Sequence, residues 1–207
     1  MFKKLFFTLV ICLFIKTNAQ DGTVSPYSYF GLGTFNPANT VENNAMGGLS
    51  IYGDSIHVNL QNPASYGLLK LTTYTVGVSH RRMALTSDTQ EKSTALTAID
   101  YLSVAMPIAE NIGIGFGITP VTSMGYILNS SAENANGETI TNVFSGDGGL
   151  SKIYFSLGAA PIKNFTVGAS AFANFGTVNK ERVQSLSSVL FGTIDRRTSR
   201  MNGFNFQ

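Results

Sequence analysis

Charge is scarce in this sequence. Asp, Glu, Lys and Arg make up 13% of the 207 residues, about half the roughly 25% usual for a soluble globular protein. Histidine occurs twice, as His57 and His80, and cysteine once, as Cys12. Neither histidine has a cysteine or a second histidine at the spacing a zinc site requires. One cysteine cannot build a disulfide framework. His57 stands near Asp54 with no third catalytic partner. No Gly-x-Ser-x-Gly elbow occurs. Gly113, Gly115 and Gly117 alternate inside an apolar run and Pro120 follows, which excludes a dinucleotide turn that opens a helix. Asp147-Gly148-Gly149 lacks the remaining ligands of a calcium loop. These absences predict no enzyme: no catalytic residue, no cofactor and no metal.

Long hydrophobic runs are also missing past residue 20. Gly, Ser or Thr interrupts each run, so no transmembrane helix is expected. The one apolar run of note comes first. Lys3 and Lys4 precede Leu5–Ile15, and Thr17-Asn18-Ala19 places small residues at a cleavage site. That is the build of a secretory signal over residues 1–19, and the run is too short to span a bilayer. Its removal takes Lys3, Lys4 and Lys16, so Lys plus Arg falls from 14 to 11 against 12 acidic residues. The mature chain is then slightly acidic, which argues against a nucleic-acid partner. Cys12 leaves as well, and it lacks the small preceding residue of a lipidation site.

What is abundant is glycine, at 21 residues, and aromatics, with 8 Tyr and 15 Phe. From Leu68 onward the chain alternates with period two, the signature of strands. Tyr74–Ser79, Leu96–Met106, Ile112–Thr119, Ile153–Ala159 and Phe165–Phe175 each carry one apolar face, though Asp100 and Tyr101 blur the second. Gly203–Phe206 begins a sixth. Short turns at Ala109–Asn111 and Ile162–Asn164 alternate with long connections after Met83, Ile127 and Val178. Asn129–Ser145 and Asn179–Arg200 read as long polar loops. Short turns on one side and long loops on the other are the habit of a transmembrane β-barrel, and several aromatics fall near strand ends, as in an interfacial girdle. The fold class expected is therefore all-β, an antiparallel transmembrane barrel in which apolar faces meet outer-membrane lipid and the Gly/Ser/Thr faces meet the lumen. Five to six strands do not close a bacterial barrel, which has at least eight. The expectation is an N-terminal portion, with residues 69–207 as wall.

Residues 20–68 lack periodicity yet hold many apolar groups and many amides, including Asn39, Asn59, Gln61 and Asn62. That mixture suits a segment packed in a confined, partly polar interior. The Asn62-Pro63-Ala64 step is expected to stop regular structure and set a bend. Gly47-Gly48 permits close backbone approach or positive φ.

Ser25-Pro26-Tyr27-Ser28-Tyr29-Phe30-Gly31-Leu32-Gly33, then Ala45-Met46-Gly47-Gly48, then Asn62-Pro63-Ala64, resembles the N-terminus of FadL-like outer-membrane proteins. Tyr101–Ile108 and Gly113–Pro120 look like the first hairpin of such barrels. The resemblance implies that residues 20–68 form a hatch, with Asn62, Pro63, Ala64, Gly47 and Gly48 as its motif. It also implies passive, hatch-gated passage of a hydrophobic small molecule, such as a long-chain fatty acid, through the outer membrane of a Gram-negative bacterium. The alternatives are a non-transporting accessory barrel of a type IX secretion assembly, whose partners are proteins, and an exported soluble β-protein.

Overall fold

The computed structural model describes residues 25–86, 91–135, 137–189 and 191–207. The export signal expected over residues 1–19, with Cys12, lies outside the described residues. The N-terminal segment contains two 3-10 helices, η1 (Pro26–Tyr29) and η2 (Pro63–Leu68), a two-residue strand β1 (Thr34–Phe35) and one helical turn and a half, α1 (Val41–Ala45). Six long strands follow: β2 (Thr73–Thr86), β3 (Glu91–Ala109), β4 (Ile112–Glu133), β5 (Thr139–Ile162), β6 (Phe165–Leu186) and β7 (Thr193–Phe206).

The strands form one antiparallel sheet in the order β2-β3-β4-β5-β6-β7, and β1 pairs with β4. The all-β expectation holds, and the sheet as described is open. From β2 to β7 consecutive strands are neighbours, so each pair forms a hairpin. Asn111 and Asn164 make the tight turns at one end, with φ of 61° and 64°, values that Asn tolerates better than most residues. We call this the turn end and the other the loop end.

Two expectations fail at the loop end. The segments 129–145 and 179–200, read as loops, are mostly strand. β4 runs to Glu133 and β5 starts at Thr139, while β6 runs to Leu186 and β7 starts at Thr193. Apolar and polar residues are mixed on both faces there, so the period-two signal fades although backbone pairing continues. Asp147 pairs with Asn179, and Asn179 with Thr198, in register. The blur at Asp100 and Tyr101 has a different cause. Gly77 faces Tyr101 while Val78 faces Ile99, a bulge that leaves Asp100 without an opposite residue.

One face of the sheet carries the N-terminal segment. The other is apolar near the turn end, where Ile112, Phe116, Ile118, Ile153, Phe155, Leu157, Val167, Phe175, Phe204 and Phe206 are exposed. Buried apolar residues lie between segment and sheet: Val58, Leu60, Tyr66 and Leu69 pack with Tyr101, Ala105, Tyr154 and Phe172. A second cluster nearer the loop end joins Met124, Tyr126 and Val178 to Leu128, Phe144 and Met201.

Candidate functional site

The Asn62-Pro63-Ala64 step begins a helix rather than ending one. Asn62 is extended, at φ −115° and ψ 98°, as the residue before proline should be. Its side-chain oxygen accepts the Ala64 N–H at 3.1 Å, and Pro63 takes the first helical position, where a missing N–H costs nothing. Ser65 Oγ donates to the Asn62 carbonyl at 2.7 Å. The expectation of a break at Pro63 is corrected to a capped start for η2.

The wall is cut to receive η2. Across the sheet, Gly113 faces Gly158, and Gly158 faces Gly168. The row is backbone only. A Cβ on Gly113 would strike the Tyr66 carbonyl, one on Gly158 would strike the Pro63 carbonyl and lie 2.7 Å from the Gly67 nitrogen, and one on Gly168 would lie 2.8 Å from the Ala64 Cα. The next row is nearly as bare. Gly115 faces Ser156, which faces Ser170, and the two serine hydroxyls bond at 2.7 Å. The Tyr66 ring fills the place that a Gly115 Cβ would occupy. In the third row Gly117, Tyr154 and Phe172 restore bulk. The Gly/Ser/Thr face expected to meet a lumen is covered here by Pro63–Gly67.

A hydroxyl chain closes the seat. Tyr66, 1% exposed, donates its hydroxyl to the Tyr154 hydroxyl at 3.5 Å. The Tyr154 hydroxyl also bonds Ser103 of β3. Burial, and then the neighbouring Tyr154, push the Tyr66 phenol far above its ordinary range, so it stays a neutral donor.

Upstream, Asn59 organises the segment and was missed as a distinct residue among the amides. It is buried. Its Nδ2 donates to the Ser50 carbonyl at 2.6 Å and the Tyr52 carbonyl at 3.2 Å. Its Oδ1 accepts the N–H groups of Gln61 and Asn62, each at 3.1 Å. Gly47 and Gly48 lie away from the seat, where they end α1 with φ of 75° and 83° and the Gly48 N–H bonds the Asn43 carbonyl at 2.7 Å. The Asn39–Gln61 side-chain bond links this turn to the residue before Asn62.

Two further ties hold the segment nearer the loop end. Asn36 donates to Ser123 of β4 at 2.8 Å and accepts from Arg81 of β2 at 3.4 Å. Arg81 in turn pairs with Asp100 of β3 at 3.3 Å. Tyr29 packs edge-on against Tyr126, with ring centres 5.3 Å apart, and Lys180 donates to the carbonyls of Tyr29 and Gly31 at 3.2 and 3.1 Å. On the exposed side, the Asp54 carboxyl accepts from the His57 N–H and the His57 ring. Burial would raise the Asp54 pKa, but the hydrogen bonds from His57 and Ile56 hold it below its ordinary value. The bond to Asp54 lifts the His57 ring above its own, against partial burial.

The arrangement is mechanical. It fixes a segment on the sheet through backbone contact and capped turns. Such a seat suits any segment that plugs a glycine-lined sheet, which is why Ser25–Gly33, Ala45–Gly48 and Asn62-Pro63-Ala64 did not discriminate among families. A family model for BamG matches residues 1–207. No curated protein matches the chain, and no solved structure does. The match overturns the FadL-like assignment, and with it the passage of fatty acids or other hydrophobic compounds inferred from that resemblance. Over its full length, this chain belongs to the BamG family.

Proposed function

We propose that the chain is a hatch-plugged outer-membrane barrel wall that transports nothing and serves as an accessory subunit of an outer-membrane protein assembly complex. Membership of the BamG family supports that role. It redirects the accessory reading from type IX secretion to membrane-protein assembly, with proteins as partners. In this reading residues 1–19 export the chain, 20–68 are the hatch and 69–207 are wall in the outer membrane of a Gram-negative bacterium.

The observation that carries the non-transporting part is the hatch seat. The backbone of Pro63–Gly67 lies directly on the glycine row, so the plug and wall share no gap there, and moving it would expose Tyr66, Tyr154 and Ser103 hydroxyls that now satisfy one another. The wall reading rests on the outward apolar band. A spanning strand needs about 9–11 residues, whereas β4, β5 and β6 have 22, 24 and 22. The band occupies the half of each strand at the turn end. The other half carries charged and amide groups on its outward face beside the exposed Ile127 and Ile194; there Asn179 bonds Asp147 at 3.0 Å and Arg196 pairs with Glu181 at 2.6 Å. It stands in water beyond the lipid.

The test is native purification of the full-length protein from detergent-solubilised outer membranes. The expected result is a stoichiometric complex with proteins needed for inserting outer-membrane barrels. A lone barrel in the membrane fraction would contradict the accessory role.

A further inference from the structure

The wall parts between β3 and β4. Their pairing runs from Ala109 opposite Ile112 to Leu102 opposite Ile118 and goes no further. Beyond that pair β3 is matched to β2, from Tyr101 to Glu91, and β4 to β5, out to Glu133, with only the two residues of β1 on its other edge. Two strand edges therefore diverge. Leu102 and Ile118 are also the last outward apolar pair of the two strands. Continuous pairing is demanded only where lipid surrounds the backbone, so the wall opens where that demand ends.

The foot of this opening is already occupied by a strand. Thr34 and Phe35 of β1 pair antiparallel with Ser123 and Thr122, and the Asn36 N–H donates to the Val121 carbonyl at 2.8 Å. The Gly125 N–H then donates to Ser28 Oγ at 3.2 Å. From Ile127 outward, no backbone bond is made on this edge among the described residues. A cleft of about 400 Å³ fills the opening, with Leu85 and Thr94 on one side and Gly125, Tyr126, Ile127 and Leu128 on the other.

We propose that this cleft is a strand-docking site, in which an extended segment of a partner protein pairs antiparallel with the free edge of β4 and continues the ladder that β1 begins. The inference rests on the accessory reading above. An exposed strand edge is a template for another chain, and strand addition takes affinity from the main chain and specificity from alternate side chains. The cleft states that specificity. Tyr126, Leu128 and Leu85 face the hatch side and call for apolar side chains at every second position. Thr97 and Asn129 lie towards the water-exposed face and call for polar ones. Alternation also identifies the free donors. The Gly125 N–H points to this edge, so the N–H groups of Ile127 and Asn129 do too.

The experiment places a photoreactive phenylalanine at Ile127 or Asn129, with Val167 on the outward face as control, in the full-length protein in its own outer membrane. Adducts from Ile127 and Asn129 should fall two residues apart in one partner segment and run in the opposite direction, with none from Val167. Asn129→Pro removes one edge donor and leaves the β4–β5 bonds, because proline is tolerated where the N–H faces outward. It should abolish the Ile127 adduct while the heat-modifiable barrel form persists on gels. Leu85→Glu, placed across the cleft, should do the same without touching the β4 backbone. Adducts that survive both substitutions, or that scatter over several segments, overturn strand docking. A complex that purifies intact but gives no adduct from either position overturns it and leaves the accessory reading standing. Absence of any partner removes the accessory reading, and the docking site falls with it.

Discussion

The Tyr66 ring lies in the space where Gly115 would carry a Cβ. One residue belongs to the N-terminal segment and the other to the sheet, 49 positions apart in number, and neither makes sense without the other. A glycine in a strand interior weakens it unless another backbone or ligand approaches closely. Here the approach is Tyr66 of the N-terminal segment.

Substitution in the glycine row should therefore lift the N-terminal segment before it harms the sheet. Gly158→Val meets backbone that cannot step aside, and overpacking of this kind costs about 1–3 kcal/mol. Faster proteolysis within residues 30–60, with strand content unchanged by circular dichroism, is the expected readout. Gly203→Ala is the control, since a Cβ there meets nothing within 4 Å.

The hydroxyl chain predicts an order of effects. Tyr66→Phe leaves the Tyr154 hydroxyl bonded to Ser103, and its cost should stay near that of one net hydrogen bond, about 0.5–1.5 kcal/mol. Tyr154→Phe strips partners from both Tyr66 and Ser103, and a buried group left unsatisfied costs about 1–3 kcal/mol. Urea unfolding in detergent should rank Tyr154→Phe as the more damaging. The reverse ranking would remove Tyr154 from the centre of the network.

The amides of the N-terminal segment should also separate. Asn62→Ala loses one cap, typically about 1 kcal/mol. Asn59→Ala leaves two carbonyls and two N–H groups without their partner, so hydrogen exchange over residues 50–62 should rise further than in Asn62→Ala.

The Asp54–His57 pair gives the N-terminal segment a pH window. His57 titrates above its ordinary 6.5, so its contribution is complete below that value and is lost as pH rises through the raised pKa. Asp54 titrates below its ordinary 3.8, so its contribution is complete above that value and is lost as pH falls through the lowered one. Protection of residues 50–60 from exchange should be greatest between about pH 4 and 6.5. Asp54→Asn should flatten the profile.

The wall near the turn end was legible because one face is apolar. Ile112–Thr119 alternates cleanly, and the Asn111 and Asn164 turns stand where short polar breaks placed them. Beyond Ile127 apolar residues such as Leu128 and Phe144 are interspersed with polar ones on the same faces, and pairing is carried by the backbone and by polar neighbours such as Asp147 and Asn179, which leave no clean period in the sequence. The split between β3 and β4 is a matter of register, which residue types do not encode. The motif Asn62-Pro63-Ala64 was visible, but its direction was misread, since Pro63 starts η2. What Pro63 rests on could not be read at all, because Gly113, Gly158 and Gly168 meet only after three strands have been set side by side. The family was misread for a related reason: features that seat a plug describe the seat and not the role.

The central claim is that this chain serves the assembly of other outer-membrane proteins. Its most direct test is depletion of the full-length protein in the parent cell, followed by quantitative measurement of the outer-membrane proteome. The account predicts a broad fall in β-barrel proteins, with uptake of a labelled fatty acid unchanged in proportion to the transporters that remain. A normal complement of barrel proteins after complete depletion would contradict it.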